Sequence, residues 1–208
     1  MIKVERSSEP RILVLYSQAW TSSLLSAAPG EEETASIKYR HKSIRKALIA
    51  MFNGKCAYCE SKILHVDFGH IEHFRPKSKY KNLTFTWDNL FLACGVCNSA
   101  GNKGVRFPLE DEGGPPINPC VDNPSEHLRF IYDQNSGIAT VGFITKRGEI
   151  SVELYGLNRY ELRSHRSNFV KKLYVLSKFA PTKPEAKALL DAAIKNDSEY
   201  SAFARSLF

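Results

Sequence analysis

Four cysteines in two closely spaced pairs constrain this chain more than any other feature. Cys56 and Cys59 form one Cys-x-x-Cys unit, and Cys94 and Cys97 form a second unit after residues 60 to 93. Each unit supplies two thiolates about one turn apart, so two units that meet complete a tetrahedral Zn²⁺ site with no open position. A redox role accounts for one pair but not for both. The pairs therefore predict a structural zinc site with a substantial insertion between its halves.

Composition limits the remaining classes of protein. The chain has 208 residues, of which 43% are apolar, and a formal net charge of +7, which favours a polyanionic partner. No apolar run approaches the roughly 18 residues of a membrane span, and the first residues lack the apolar core of a secretory signal. We therefore expect a globular cytoplasmic protein. In that reducing compartment five cysteines indicate metal binding rather than disulfides, with Cys120 as a buried free thiol.

The pattern of apolar residues predicts an α+β protein in four regions that form one compact domain. Residues 1 to 54 comprise an arm of ambiguous structure and a helix, which runs from the acidic residues 31 to 33 to a stop at Asn53-Gly54. Residues 55 to 110 carry the cysteine pairs. Residues 111 to 155 contain a hairpin, with strands at 130–132 and 138–141 and a possible third strand at 150–154. Residues 156 to 208 contain two or three helices.

The insertion between the cysteine pairs carries an ordered set of polar residues. It contains Ile71-Glu72-His73-Phe74-Arg75-Pro76 and Trp87-Asp88-Asn89-Leu90, and Cys97-Asn98 follows with a later Lys103-Gly104. This order resembles the HNH endonucleases over residues 56 to 108. The resemblance implies a ββα-metal core, in which a β-hairpin and a helix surround one divalent cation and a Cys-x-x-Cys zinc site braces the fold.

Flanking segments extend the resemblance over most of the chain. They are Ser8-Glu9-Pro10-Arg11-Ile12-Leu13, Trp20-Thr21, Phe107-Pro108, Pro119-Cys120, His127 and Tyr155-Gly156-Leu157-Asn158-Arg159. Together they are similar to the PtuB-like HNH subunits of Septu antiphage systems, some of which are associated with retrons.

The resemblance assigns roles to individual residues. His73 matches the general base, and a neutral imidazole suits that role near physiological pH. Glu72 matches the first ligand of the catalytic cation, although Asp is commoner there, and Asn98 matches the last ligand. Asn89 matches the residue that orients the loop bearing the base. Oxygen-rich ligation of this kind favours Mg²⁺ or Mn²⁺.

Two ligand alternatives stay open at this point. The spacing from Asn98 to Lys103-Gly104 is longer than is usual in the family, so Asn102, one helical turn further on, is a rival ligand. His70 lies two residues before Glu72 and shares its strand face, so it is either an additional ligand or a hydrogen-bonded neighbour of the site.

Basic residues next to the motif indicate a nucleic-acid contact. Arg75, Lys77, Lys79 and Lys81 lie in a stretch without acids, and Lys103 is expected to contact phosphate. A charge run of this kind alone is more typical of a solvated loop, but beside the HNH motif it favours DNA. A second acid-free stretch, residues 162 to 184, either extends the DNA surface or faces solvent.

These residues lead to one functional hypothesis and one alternative. The hypothesis is a metal-dependent HNH endonuclease that hydrolyses DNA phosphodiester bonds. The Septu resemblance further implies an antiphage effector controlled by a PtuA-like ATPase, with a retron reverse transcriptase and its RNA–DNA product as additional partners in some systems. The alternative is a non-catalytic, zinc-stabilised nucleic-acid-binding or adaptor module. The ordered Glu-His, Asn and Asn series favours catalysis.

Overall fold

The computed structural model describes all 208 residues. Seven helices lie at Arg11–Leu25 (α1), Glu32–Ser36 (α2), Lys42–Met51 (α3), Lys146–Leu154 (α4), Tyr160–Phe179 (α5), Pro184–Ala193 (α6) and Ser201–Leu207 (α7). Four strands lie at His70–His73 (β1), Leu90–Ala93 (β2), Leu128–Asp133 (β3) and Ile138–Phe143 (β4). The strands form two separate antiparallel hairpins, β1 with β2 and β3 with β4.

The first hairpin brings the two cysteine units together. In β1 and β2, His70 pairs with Ala93 and His73 pairs with Leu90. All four residues of β2 are buried, and the main chain of Ala57 donates a hydrogen bond to Leu92 O at 2.8 Å. The first cysteine unit therefore lies against β2, and the second follows directly from the end of that strand.

The segment after β2 differs from the helix that the resemblance implies. Residues 95 to 105 form a series of turns with one bend at Ser99, and Lys103 N bonds to Cys97 O rather than to a carbonyl four residues earlier. Gly104 has φ of +44°, and a Cβ there would lie 3.1 Å from Ala100 Cα. Serine, asparagine and glycine are weak helix formers, so this stretch folds as turns around the cysteines.

The expected single helix between residues 31 and 52 is interrupted. Helix α2 is followed by a 3₁₀ turn at Ile37–Arg40, and His41 is extended, with ψ of 138°. The His41 side chain accepts a hydrogen bond from Ser43 N, so His41 caps a new helix, α3. The predicted stop is confirmed, because Asn53 and Gly54 follow α3 with φ of 53° and 68°. The ambiguous arm upstream forms α1.

The second hairpin is confirmed, but its predicted third strand is wrong. Residues 150 to 154 belong to α4, which begins after Thr145, whose hydroxyl accepts a hydrogen bond from Gly148 N at 3.2 Å. Side-chain capping of this kind favours a helix over the extended alternative. Three helices, α5 to α7, complete the C-terminal region.

One hydrophobic core joins these elements. Its 33 buried residues include Leu13 of α1, Phe91 of β2, Leu128 of β3 and Phe203 of α7. Cys120 is half-buried with a free thiol outside the four-cysteine cluster. None of the helices combines the length and the apolar character that a membrane span requires.

Candidate active site

The four cysteines of the two pairs form one compact cluster. Their ligand atoms all lie within 4.8 Å of one another, and the sulfurs of Cys59 and Cys94 are 4.0 Å apart. Tetrahedral zinc with Zn–S bonds of about 2.3 Å places its sulfurs about 3.8 Å apart, so the cluster fits Zn²⁺. Three of the four side chains are buried, as expected for a closed structural site.

Arg159 lies next to this cluster. Its Nη1 donates to Cys97 Sγ at 3.5 Å and to the carbonyl oxygens of Tyr155 and Gly156. Burial lowers the pKa of Arg159, but the negative charges of Cys97 and Cys59 outweigh it and the net pKa is raised. Zinc with four thiolates carries a formal charge of −2, and Arg159 offsets part of that charge. In the sequence, Arg159 stands out only as part of the flanking motif at residues 155 to 159.

His73, the expected base, is held in one tautomer. It ends β1, and its Nε2 lies 3.0 Å from Thr84 O. A carbonyl oxygen only accepts hydrogen bonds, so Nε2 carries the proton and Nδ1 retains its lone pair. Burial lowers the pKa of His73 to about 4, so the imidazole is neutral at pH 7. A neutral ring with a free Nδ1 is the form that a general base requires.

Tyr39 covers one side of the His73 ring. The two rings meet edge to face, with centroids 4.6 Å apart and an interplanar angle of 78°. His73 is 6% exposed and Tyr39 is 7% exposed. Tyr39 belongs to the 3₁₀ turn before α3, and no sequence pattern links it to the motif that contains His73.

Asn89 connects the two ends of the loop between β1 and β2. Its Oδ1 accepts from Arg75 N at 2.8 Å, and its Nδ2 donates to Arg75 O at 3.0 Å and to Leu83 O at 3.1 Å. The side chain is buried, so these bonds replace contacts with water. This geometry agrees with the loop-orienting role that the resemblance implies.

Glu72 and Lys103 form a buried ion pair. Lys103 Nζ contacts Glu72 Oε1 and also donates to His73 O at 2.9 Å. No part of the Lys103 side chain is exposed, so the expectation that Lys103 contacts phosphate is corrected here: it supports β1 from inside. Burial raises the pKa of Glu72 and lowers that of Lys103, and each charge opposes the shift of the other.

Asn98 lies against β1, whereas Asn102 is directed elsewhere. Asn98 Nδ2 is 3.3 Å from His70 Nδ1. Asn102 Nδ2 donates to Val96 O at 2.9 Å, and its amide oxygen packs against Gly156. No hydrogen bond joins Glu72 to Asn98. Of the two rival asparagines, Asn98 is therefore the one that reaches the strand of the motif, and His70 is its contact there.

Most of the basic run next to His73 is already engaged within the protein. The Arg75 guanidinium lies 4.8 Å from the Phe107 ring centroid, and Lys77 Nζ donates to Ser36 Oγ at 3.2 Å. Lys81 Nζ forms an ion pair with Glu32 at 2.7 Å. Lys79 is exposed and forms no ion pair or side-chain hydrogen bond.

The second acid-free stretch contributes less exposed charge than its sequence indicates. Arg166 of α5 is 1% exposed and donates to Ala139 O and Leu157 O. Burial lowers its pKa to about 10. This arginine therefore attaches α5 to the second hairpin instead of extending a DNA surface.

Comparison with known proteins places these residues in a family. The HNH endonuclease family profile matches residues 56–104, which contain both cysteine pairs, His73, Asn89 and Asn98. The chain is 35% identical over 205 residues to the Septu protein PtuB of Bacillus mycoides (strain KBAB4), covering 83% of this chain and 68% of that protein. The chain belongs to the PtuB family and is an HNH endonuclease.

Two further Septu proteins are similar to the chain. The PtuB family member of Bacillus thuringiensis is 33% identical over 132 residues, covering 63% of this chain and 47% of that protein. A protein named PtuA from Bacillus mycoides (strain KBAB4) is 31% identical over 156 residues, which are 62% of this chain and 21% of that protein. No solved structure matches the chain.

Proposed function

We propose that this PtuB family member hydrolyses DNA phosphodiester bonds, with His73 as the general base and a divalent cation as cofactor. The observation that supports the proposal is the hydrogen bond from His73 Nε2 to Thr84 O, which leaves Nδ1 unprotonated. When water attacks phosphorus it must lose a proton, and an imidazole held in this tautomer can accept that proton at Nδ1.

The donors on one side of β1 fit a hard divalent cation. Glu72 and His70 share a strand face, and Asn98 contacts His70. Glu72 Oε1 is buried without a hydrogen bond of good geometry, and the Lys103 ammonium supplies its counter-charge. Carboxylate and amide oxygens are preferred ligands of Mg²⁺ and Mn²⁺. We propose Glu72 and Asn98 as the ligands, with His70 as an additional one.

The remaining residues of the site position the base and the substrate. When bound, the cation stabilises negative charge on the leaving oxygen. His73 accepts a proton from the attacking water at Nδ1. The hydrogen bond from Nε2–H to Thr84 O keeps the other ring nitrogen protonated. Asn89 holds the loop that bears Arg75 and Lys79, and we propose that these residues, with Lys77 and Lys81 when released, contact the DNA backbone.

Ligand assignment is tested by Mn²⁺ binding to the zinc-loaded protein, followed by electron paramagnetic resonance. Asn98→Ala is expected to weaken Mn²⁺ binding about tenfold or more, since it removes a direct ligand, and Asn102→Ala is expected to leave binding unchanged. Glu72→Gln separates the two roles of Glu72: a ligand loses Mn²⁺ affinity on substitution, whereas a partner of Lys103 alone loses only stability.

Activity is tested by plasmid nicking in Mg²⁺ or Mn²⁺ with wild type, His73→Ala and the control His65→Ala. His65 is exposed and outside the site. We expect nicking by wild type and by the control, and a loss of about 100-fold or more in His73→Ala. Equal nicking by all three proteins contradicts the role of His73. A wild type that binds DNA and never cuts, with or without the partner ATPase, supports the non-catalytic adaptor.

We further propose that the chain acts as an antiphage effector with a PtuA-like ATPase. A stretch resembling this chain occupies about a fifth of a protein named PtuA, so related sequence occurs within a single polypeptide of that kind. This shared similarity supports physical association of the two components. The test is co-purification of the chain with the PtuA-like protein from the same genome, followed by nicking with and without ATP. A retron reverse transcriptase as a further partner, and the cytoplasmic location, stay predictions.

A further inference from the structure

A polar cavity lies beside β1, and it shares His70 and Asn98 with the proposed cation site. Its volume is about 330 Å³. The residues that line it and matter for its chemistry are Arg40, Arg45, His70, Asn98, Tyr39 and Ile71. No carboxylate lines the cavity, and two guanidinium groups do, so its chemistry suits an anion. The carboxylate of Asp67 is not part of the lining, although it lies near the His70 ring: a Cβ on Gly95 would be 3.7 Å from Asp67 Oδ2 and 3.5 Å from His70 Nε2.

The two arginines are placed by contacts that leave donors unused. Arg45 Nη1 donates to Phe68 O and Gly69 O, both at 2.7 Å, which fixes the guanidinium next to the start of β1. Arg40 is exposed, and its Nε donates to Tyr39 Oη at 3.1 Å. A guanidinium has five N–H donors, so both arginines keep donors for a ligand.

Asn98 adds a neutral donor between the arginines and the strand. One amide hydrogen is directed to His70 Nδ1, and the second is free for another acceptor. Gly95 lies close to the His70 ring, because a Cβ on Gly95 would be 3.5 Å from His70 Nε2. Two guanidinium groups and an amide converging on one cavity match the acceptors of a phosphate group.

Tyr39 connects this cavity to the base. Tyr39 lines the cavity, and its ring and that of His73 pack edge to face. We propose that the cavity binds one phosphate of the nucleic-acid backbone, held by Arg40, Arg45 and Asn98, next to the phosphodiester that His73 acts on. This inference rests on the proposed nuclease function and locates the path of the substrate backbone on the α3 side of β1.

The experiment measures binding of a fluorescein-labelled DNA duplex by anisotropy, without added Mg²⁺ or Mn²⁺, over a series of salt concentrations. Arg40→Gln removes a charge that lines the cavity. Lys38→Gln is the matched control, because Lys38 is exposed on the same 3₁₀ turn and does not line the cavity. Each lost phosphate contact reduces the slope of log K against log salt by about 0.9.

We expect Arg40→Gln to reduce the slope by about 0.9 and to weaken binding about 5- to 10-fold at low salt, and Lys38→Gln to change neither by a comparable amount. Equal effects of the two substitutions, or none, overturn the phosphate subsite. The plasmid-nicking assay distinguishes failure of the subsite from failure of the nuclease function. If wild type binds and cuts DNA and Arg40→Gln does both equally well, the subsite is refuted and the nuclease function stands. A wild type that binds no DNA refutes both.

Arg45→Gln is a second variant on the other wall of the cavity. Because Arg45 also donates hydrogen bonds to Phe68 O and Gly69 O, the melting temperature of the Arg45→Gln protein is measured first. A folded Arg45→Gln protein is expected to show the same reduction in slope. A folded variant with the wild-type slope removes Arg45 from the proposed set.

Discussion

Asn89 binds the main chain of Arg75 in both directions, accepting from its N–H and donating to its carbonyl, while a third bond reaches Leu83 O. The loop that carries Thr84, the partner of His73, is thereby closed by one side chain. We predict that Asn89→Ala costs about 3 kcal/mol in the free energy of unfolding, about 1 kcal/mol for each buried hydrogen bond. Urea denaturation measures it.

Asn89→Asp is the matched variant for this loop. It keeps the acceptor for Arg75 N and loses both donors, so its stability should lie below that of wild type. A stable Asn89→Asp or Asn89→Ala protein with wild-type nicking contradicts the idea that Asn89 positions the base through the loop.

The four-cysteine cluster predicts one zinc ion per chain. Cys94→Ser removes one of four ligands, so we expect loss of zinc and a lower melting temperature, because a structural zinc site contributes directly to folding. Zinc content by mass spectrometry and thermal unfolding measure the two effects. Cys120→Ser is the control, since Cys120 lies outside the cluster. Retention of zinc by Cys94→Ser, or its loss from Cys120→Ser, contradicts the assignment.

The ion pair of Glu72 and Lys103 predicts strong coupling between two substitutions. Lys103→Met leaves the Glu72 carboxylate buried without its counter-charge, which is expected to cost about 3 to 5 kcal/mol. In the double variant with Glu72→Gln, most of that cost is expected to disappear. Chemical denaturation of the four proteins measures the coupling. Additive effects would show that the two side chains do not depend on each other.

The ion pair of Glu32 and Lys81 predicts a gain in DNA binding. Glu32→Gln releases Lys81 from its partner, so affinity for a duplex is expected to rise by up to about 5-fold, the range of an exposed ion pair. The control is Glu153→Gln, which removes an exposed carboxylate that forms no side-chain hydrogen bond. If the two variants bind equally, the basic run next to His73 does not form part of the DNA surface.

Sequence alone predicted the features that local spacing determines. The cysteine pairs predicted the cluster, and alternation of apolar residues predicted the second hairpin, because both signals lie within a few residues. The roles of His73 and Asn89 came from family resemblance. Their observed contacts agree with those roles, although ligand and catalytic assignments stay predictions.

Long-range contacts account for what sequence missed. Tyr39 lies 34 positions before His73 in the chain, and no periodic pattern connects them. Lys103 belongs to a Lys-Gly motif that indicates a phosphate contact. In the fold its side chain is buried and pairs with Glu72, a contact that local sequence does not reveal. His41 interrupts a continuous helical pattern because its own ring accepts the capping hydrogen bond, and histidine is not among the usual capping residues.

Chemical rescue of His73→Gly tests the central claim most directly. The assay follows single-turnover cleavage of a DNA duplex in Mg²⁺ or Mn²⁺, with increasing imidazole. We predict that the variant retains zinc, cuts about 100-fold or more slowly than wild type, and regains part of its rate as neutral imidazole is added. A zinc-loaded, folded His73→Gly protein that cuts at the wild-type rate without imidazole would contradict it.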